Sequence, residues 1–309
     1  MAQKENTQIS KQRCGFVTVI GLPNAGKSTL VNTIVGTKVS IVSRKVQTTR
    51  SRVLGIALHE EAQIILIDTP GIFKPRKTLE KAMVSAALAS LEDAEFIVHI
   101  IDASVKNTIE NNRQITETLK KQKSGSKIIL ALNKVDKTDK SRLLELARDL
   151  NEEVSYEATF MISALAGKGT QDLAAYLSKA MPEGIWMFPE DQITDMPMRL
   201  MAAEITREKI YDQIHQEVPY SVFVKTENWE RFDNGSVKID QLIYVEKESQ
   251  KSIVLGKRGA KIKAIGQAAR KELEEILGVR VHLKTFVRVQ ENWVSQLEDL
   301  ERLGLDINQ

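Results

Sequence analysis

One octapeptide constrains this 309-residue chain more than any other segment: GLPNAGKS at Gly21–Ser28. It matches the pattern GxxxxGK[ST], and it stands between an apolar run at residues 16–20 and a helical pattern at residues 27–35. In that context the pattern predicts a phosphate-binding loop, because glycines let the loop curl and point its N–H groups at phosphate oxygens beside a helix N-terminus. We expect Lys27 to reach the β and γ phosphates and the Ser28 hydroxyl to bind magnesium.

Apolar runs alternate with helical patterns between residues 15 and 181. Six runs are predicted strands, at residues 16–20, 53–58, 64–67, 96–101, 127–132 and 159–162. Helical patterns lie between most of them, at residues 27–35, 79–91, 108–122, 140–150 and 171–179. This order is typical of an α/β fold with a mainly parallel sheet. The second and third runs have no helix between them, and their connector, His59-Glu60-Glu61, is short, so we expect a hairpin and one antiparallel edge strand.

The alternation stops where three prolines fall close together, at Pro182, Pro189 and Pro197. We predict a linker at residues 182–198, after an N-terminal tail at 1–14 and a nucleotide-binding domain at 15–181. The pattern then changes to a helix at residues 198–217, strands at 221–227 and 237–245, a helix at 260–277, a strand at 279–289 and a last helix. This order predicts an α+β module over residues 199–309.

Composition sets outer limits on the function. Hydrophobic residues make up 42% of the chain and charged residues 28%, which excludes a disordered or collagen-like protein. The net charge of +3 identifies no partner, and the single cysteine, Cys14, favours a reducing compartment. We find no export signal or membrane-spanning run, and we therefore expect a cytoplasmic protein.

Two further motifs follow predicted strands. Asp68-Thr69-Pro70-Gly71 ends the third run, where the Asp68 carboxylate could hold the magnesium shell and the Gly71 amide could contact a γ-phosphate. By itself this tetrapeptide could equally be an ordinary turn. Asn133-Lys134-Val135-Asp136 ends the fifth run, and the Asp136 carboxylate can accept the N1–H and 2-amino donors of guanine, which adenine lacks.

A third segment, Ser163-Ala164-Leu165, ends the sixth run and could present a backbone N–H to guanine O6. Together with the preceding motifs, this order resembles the translation-factor-related GTPases, which implies GTP/GDP and magnesium as ligands. The predicted nucleotide-binding residues are Gly21, Asn24, Ala25, Gly26, Lys27, Ser28, Thr29, Asp68, Pro70, Gly71, Asn133, Lys134, Asp136, Ser163, Ala164 and Leu165.

The same resemblance identifies a first switch segment in Gln47-Thr48-Thr49-Arg50. In that group a threonine hydroxyl closes onto magnesium when GTP is bound, and we assign this role to Thr49, with Thr48 as the alternative. The predicted magnesium ligands are therefore Ser28, Thr49 and Asp68. Ile72 occupies the switch position where Ras-like proteins place a glutamine that orients the attacking water, and its side chain cannot do so.

GTPases with an apolar residue at that position include members that hold potassium with an asparagine of the phosphate loop, and Asn24 stands there in this chain. Potassium near Asn24 would supply positive charge at the phosphates. The alternative is that Asn24 only shapes the loop through side-chain to backbone hydrogen bonds.

The second module contains a GxxG sequence, Gly256-Lys257-Arg258-Gly259. It stands between a predicted strand and a predicted helix, as in a KH domain that binds single-stranded RNA. Residues 247–272 contain eight Lys and Arg but only two Glu, so the surroundings are basic. The predicted RNA-binding residues are Gly256, Lys257, Arg258, Gly259, Lys261 and Lys263, with apolar groove residues at Ile253, Val254, Ile262 and Ile265. The alternative is a solvated charged helix.

A GTPase domain followed by a type II KH domain of this kind resembles the Era family of bacterial ribosome-assembly GTPases. The resemblance extends through EITREK at residues 204–209, EVPYS at 217–221 and IYVE at 243–246. It implies binding near the 3′ end of small-subunit ribosomal RNA, a role in maturation of the small ribosomal subunit, and RNA binding and release controlled by the nucleotide. Arg258 departs from the family, which often has a small residue there.

The family also associates weakly with the inner membrane, for which this sequence offers only basic surface. We expect a monomer with slow GTP hydrolysis. The competing hypothesis is an RNA-binding chaperone in which GTP is a conformational ligand that is not hydrolysed. A third reading makes the C-terminal module a protein-interaction adaptor.

Overall fold

The computed structural model describes residues 12–75, 78–122, 125–214, 218–291 and Trp293. The chain divides into two compact units. The first comprises Met1–Ser40, Val53–Thr69 and Leu88–Asp195, and the second comprises Ile41–Arg52, Pro70–Ala87 and Met196–Gln309.

The first unit is built on a six-stranded sheet of order β2-β3-β1-β4-β5-β6. Its strands are β1 (Arg13–Ile20), β2 (Val53–His59), β3 (Ala62–Asp68), β4 (Phe96–Asp102), β5 (Lys127–Asn133) and β6 (Ala158–Met161). Its helices are α1 (Lys27–Val35), α3 (Thr108–Lys120), α4 (Lys140–Glu153) and α5 (Thr170–Ala180), while α2 (Thr78–Ala89) begins in the second unit.

The predicted mainly parallel sheet with one antiparallel edge strand is confirmed. Strand β2 pairs antiparallel with β3, and its register runs from Val53 opposite Asp68 to His59 opposite Ala62. All other pairs in this sheet are parallel. Strand β3 is buried along its whole length, as expected for a strand covered on both faces. The carboxyl ends of β1, β3, β4 and β5 therefore carry the loops in which a ligand site is expected.

Most of the predicted linker packs on the first unit. Trp186 and Phe188 are partly buried against a cluster that contains Leu54 and Ile67, and the Gln63 side chain bonds the backbone of Phe188 in both directions. The compact unit continues to Asp195, whereas the sequence analysis predicted that this domain ends at residue 181. The physical reason is apolar burial, since these rings lose contact with water by lying on the sheet.

The second unit has a three-stranded sheet of order β7-β8-β9, in which β8 pairs antiparallel with β7 and parallel with β9. Its elements are α6 (Met198–Gln213), β7 (Phe223–Arg231), β8 (Val237–Val245), α7 (Glu248–Leu255), α8 (Ala260–Leu277) and β9 (Val281–Val289). Helix α7 was missed by the sequence prediction, which assigned no element between the strand that ends at residue 245 and the GxxG loop. The predicted last helix lies outside the described residues.

Residues 41–52 and 70–87 belong to the second unit rather than to the nucleotide-binding domain predicted at 15–181. Leu79 and Met83 of α2 pack with Phe223, Tyr244 and Trp293 in one buried cluster. These contacts explain why residues 70–87 belong to the second unit. Among the residues that the structure describes, no helix combines the length and the apolar character needed to cross a bilayer.

Candidate nucleotide site and nucleic-acid interface

The phosphate loop lies between β1 and α1, and two of its glycines are required by close contacts. A Cβ at Gly26, whose φ is +107°, would lie 2.2 Å from Asn133 Nδ2, and a Cβ at Gly21 would lie 2.3 Å from the Ile100 carbonyl oxygen. No larger residue fits either position without displacing the loop. The helix that follows directs its first free N–H groups towards the loop, which makes an anion site.

Lys27 is buried, and its Nζ donates to the loop carbonyls of Gly21 at 3.2 Å and Leu22 at 3.0 Å. Burial lowers the pKa of Lys27 to about 8, against the opposing effect of Asp68. An incoming phosphate would raise this pKa again, because a nearby anion favours the protonated form.

Asn133 and Lys134 hold the loop from the end of β5. Asn133 Nδ2 donates to the Ala25 carbonyl oxygen at 2.8 Å, and Asn133 Oδ1 accepts the Ala164 N–H at 2.9 Å. Lys134 Nζ donates to the Asn24 carbonyl oxygen at 2.9 Å and pairs with Asp102 at 2.5 Å. Three loops at the same sheet edge are thereby tied together through two consecutive side chains.

Asp68 ends β3 with its Oδ2 accepting two hydroxyl hydrogen bonds of 2.6 Å, from Ser28 and from Ser40. Hydroxyl and carboxylate oxygens are the ligands that magnesium prefers, so the pair formed by Ser28 and Asp68 fits that ion. Among the described residues no group of three or more His, Cys, Asp or Glu side chains could hold a metal.

The residues predicted to recognise the base follow the ends of β5 and β6. The Asp136 side chain is exposed, and the Ser163 hydroxyl holds its pKa below the ordinary value. The Ala164 N–H bonds to Asn133, whereas the Leu165 N–H makes no hydrogen bond within the part of the chain that the structure describes. An ionised, open carboxylate can accept the N1–H and 2-amino donors of guanine, and a backbone N–H can donate to guanine O6.

Residues 41–52, which include the first switch segment at 47–50, lie in the second unit against helix α6. The Thr48 carbonyl oxygen accepts a 2.6 Å hydrogen bond from Arg207, and the Val42 N–H donates to Glu208 at 2.8 Å. Lys45 donates to the carbonyl oxygens of Tyr211 and Ile214.

Arg50, at the C-terminal end of this segment, bonds to residues just before β7. Its guanidinium is 4% exposed and donates to the Val222 carbonyl oxygen at 2.8 Å and the Tyr220 carbonyl oxygen at 2.9 Å. Gln47 donates to Glu80 at 3.1 Å. The segment is thus held by side chains and backbone carbonyls of α6 and by backbone carbonyls of the residues that precede β7.

The threonine assignment stays a prediction. The Thr48 hydroxyl donates to the Lys45 carbonyl oxygen at 2.8 Å, and Thr49 is buried. Pro70, Gly71 and Ile72 lie in the second unit, and Ile72 is 1% exposed. Its side chain is packed, and the expectation that it orients no water stays a prediction.

The GxxG loop connects α7 to α8 as a short 3-10 turn. Gly256, Arg258 and Gly259 have positive φ angles of 69°, 51° and 76°. A Cβ at Gly256 would lie 2.6 Å from the Lys261 Cβ, so this glycine is required by close packing. Lys257, Arg258 and Lys263 are exposed, which leaves their charges open to a phosphate backbone.

Two predictions for this interface need correction. Val254 and Ile265 are fully buried in the core of the second unit and cannot line a groove for bases, because helical periodicity does not distinguish core from groove. Ile253 remains exposed, and Ile262 packs partly against the core. Lys261 donates to the Gln213 carbonyl oxygen at 3.1 Å rather than standing free for RNA.

The sequence prediction missed several residues that organise the site. Burial works to raise the pKa of Asp102, but hydrogen bonds from Lys134 and Ser104 outweigh it and hold the value below the ordinary one. Asn32 accepts the N–H groups of Val39 and Ser40 at 2.9 Å. The position of Asp102 at a strand end could have suggested its role, whereas no local pattern singles out Asn32.

Comparisons with known proteins agree with this geometry. The sequence model of the family described as "50S ribosome-binding GTPase" matches residues 16–134, and the KH domain model matches residues 217–294. The GTPase Era of Brucella suis is 55% identical over 300 residues, which cover 97% of this chain and 96% of the relative. The GTPase Era of Sinorhizobium medicae is 54% identical over 296 residues, covering 95% and 94%.

Two solved structures are similar over nearly the whole chain. One is a crystal structure of Era in complex with MgGDPNP and nucleotides 1506-1542 of 16S ribosomal RNA, with a TM-score of 0.87 and 40% identity, covering 95% of this chain and 99% of that one. The other is a single-residue variant of Aquifex aeolicus Era bound to GDP.AlF4-, with a TM-score of 0.86 and the same identity and coverage. The chain therefore belongs to the Era family, and it is a GTPase that uses GTP, GDP and magnesium.

Proposed function

We propose that this GTPase binds small-subunit ribosomal RNA near its 3′ end and assists maturation of the small ribosomal subunit, with its nucleotide state controlling RNA binding and release. One observation carries the proposal: the first switch segment and the GxxG loop belong to the same compact unit. The segment that we expect to respond to the γ-phosphate is thereby part of the body that would hold RNA.

The nucleotide half of the proposal assigns the four strand-end motifs to GTP. Lys27 and the loop amides would hold phosphates, Ser28 and Asp68 would hold magnesium with Thr49 completing the set, and Asp136 would select guanine. The 2.6 Å contact between Ser28 and Asp68 and the tie between Asn133 and the loop support this assignment. When bound, magnesium neutralises charge that develops on the phosphates.

The RNA half assigns Gly256, Lys257, Arg258, Gly259 and Lys263 to the phosphate backbone. Two glycines at positive φ let a backbone approach closely, and the exposed basic side chains neutralise it. The bound RNA in the related Era structure supports the same class of ligand for this chain.

The coupling follows from the contacts of the switch segment. Arg207 and Glu208 of α6 bind its backbone, and α6 belongs to the KH-containing unit. If the nucleotide changes the preferred conformation of residues 41–52, the stability of these contacts changes with it. The ligand at either site can shift the other only through such differential contacts.

The test is the affinity for a short RNA that copies the 3′ end of small-subunit ribosomal RNA, measured with GDPNP and with GDP. We expect tighter binding with GDPNP, and loss of binding in the Lys257→Asp/Arg258→Asp variant. The matched control, Arg148→Asp/Lys179→Asp, changes the charge equally at exposed positions of the first unit and should bind normally. Equal affinity in both nucleotide states would contradict the proposed control.

We propose further that potassium binds beside Asn24. This residue is exposed at the loop with a φ of 62°, and Lys134 holds its carbonyl oxygen. Hydrolysis should be faster in potassium than in sodium, and Asn24→Ala should remove the difference. Equal rates in the two salts would contradict potassium binding.

We propose a cytoplasmic monomer that contacts the inner membrane only weakly and peripherally. The exposed basic residues of the KH-containing unit support such contact, although a single basic patch is a weak anchor. Sedimentation with anionic vesicles at low and physiological salt tests the membrane contact, and light scattering tests the monomer. Retention at physiological salt or a larger mass would contradict these assignments.

A further inference from the structure

The last turn of helix α6 binds two lysines that come from different parts of the second unit. Lys45, two residues before the first switch segment, donates to the carbonyl oxygens of Tyr211 and Ile214. Lys261, in the first turn of α8 after the GxxG loop, donates to the Gln213 carbonyl oxygen at 3.1 Å. Both ammonium groups therefore cap one helix terminus.

This arrangement stabilises the terminus for a simple reason. The last carbonyls of a helix lack partners within the helix and carry negative partial charge, which cations satisfy. Asp212 in the same turn adds an attraction for Lys45, although burial of that lysine lowers its pKa. Removing either lysine should loosen the turn on which the other depends.

The GxxG loop is packed directly against Lys261. An added Cβ at Gly256 would lie 2.6 Å from the Lys261 Cβ and 3.1 Å from its backbone nitrogen. A phosphate held at this loop would therefore lie near the Lys261 side chain. An anionic phosphate is a stronger acceptor for an ammonium group than a backbone carbonyl is.

We propose that Lys261 is a positioning residue that couples RNA at the GxxG loop to the first switch segment through the last turn of α6. RNA phosphate competes with the Gln213 carbonyl oxygen for the Lys261 ammonium, and the weakened turn loosens its hold on Lys45. Coupling between two binding sites is reciprocal. The factor by which bound RNA changes the nucleotide affinity is therefore the factor by which the nucleotide changes the RNA affinity. This inference rests on the proposed function.

The experiment compares the affinity for the same RNA with GDPNP and with GDP in the full-length wild type and in Lys261→Met. The measured quantity is the ratio of the two dissociation constants. Loss of one helix-capping cation predicts a change in this ratio of about two- to fivefold. Lys263→Met is the matched control on the same helix: it should weaken binding equally in both states and leave the ratio unchanged.

Three further results separate coupling from a plain phosphate contact. Lys261→Arg should keep the ratio near that of the wild type, because arginine can still cap the helix. Lys45→Met should shift the ratio, and combining it with Lys261→Met should add less than the sum of the single effects. Amide hydrogen exchange in residues 41–50 should change when RNA binds the wild type, and should change less in Lys261→Met.

An unchanged ratio in Lys261→Met, additive effects with Lys45→Met, or RNA-insensitive exchange would each overturn the coupling role. If the wild type itself binds no RNA, or binds it equally in both states, the proposed function fails and the coupling role fails with it. An altered ratio in the Lys261 variant alone therefore distinguishes this inference from the function on which it rests.

Discussion

Replacing Arg50 with methionine should destabilise the second unit without removing the apolar stem of the side chain. The guanidinium donates to the carbonyl oxygens of Val222 at 2.8 Å and Tyr220 at 2.9 Å, to the Tyr211 hydroxyl at 3.3 Å, and lies over the Trp293 ring at 5.7 Å. Hydrogen bonds from a buried charged donor contribute about 1.5 kcal/mol each, so loss of the two short ones costs about 3 kcal/mol.

Urea unfolding followed by tryptophan fluorescence measures this cost. Trp229 and Trp293 belong to the second unit, and a Trp186→Phe background removes the signal of the first. The free energy of unfolding of Arg50→Met should fall by about 3 kcal/mol.

Arg52→Met provides the control, because Arg52 is exposed in the same segment and a surface change is worth about 0.5 kcal/mol or less. If Arg50→Met lies within about 1 kcal/mol of the wild type, the guanidinium contacts do not hold the segment as argued.

Three other predictions follow from local geometry. Gly26→Ala should abolish nucleotide binding, since its Cβ would lie 2.2 Å from Asn133 Nδ2; a fluorescent GDP analogue measures this, and wild-type affinity would contradict the close fit. Arg258→Gly should raise the free energy of unfolding by about 1 kcal/mol, because the φ of 51° is strained for arginine, while RNA affinity falls; unchanged thermal stability would contradict the strain. Burial lowers the pKa of His99 to about 4, below its ordinary 6.5. Between these two values the folded state therefore binds fewer protons than the unfolded state. The free energy of unfolding should be intact above pH 6.5 and fall by about 3 kcal/mol as the pH decreases to 4. His99→Gln should lack this loss in urea titrations across that range, and an equal loss in both proteins would assign it elsewhere.

Local patterns were sufficient for much of the fold. The bounds of α1, β8 and α8 agree with the sequence prediction to the residue, because each combines a clear period with a glycine or turn at its end. The antiparallel edge strand followed from the short connection at residues 59–61. Helix α7 was missed because eight residues with mixed polarity give a weak periodic signal.

The nucleotide motifs could also be identified from the sequence, because each is a short contiguous stretch that directly follows a predicted strand. Sheet topology then brings Lys27, Asp68, Asn133 and Ser163 to one edge, as parallel strands require. The groove assignment for Val254 and Ile265 was wrong because a buried helix face and a ligand-lining face share the same period.

The sequence by itself determined the fold class of both units, the positions of the nucleotide motifs and the GxxG loop. Only the tertiary structure decided that residues 41–52 belong with the KH-containing unit and that Lys261 caps helix α6. The contact between Arg207 and Thr48 joins residues 159 positions apart. A helical or strand period extends over a few residues and depends on one element's own burial, so it holds no information about which distant segment completes a hydrogen bond.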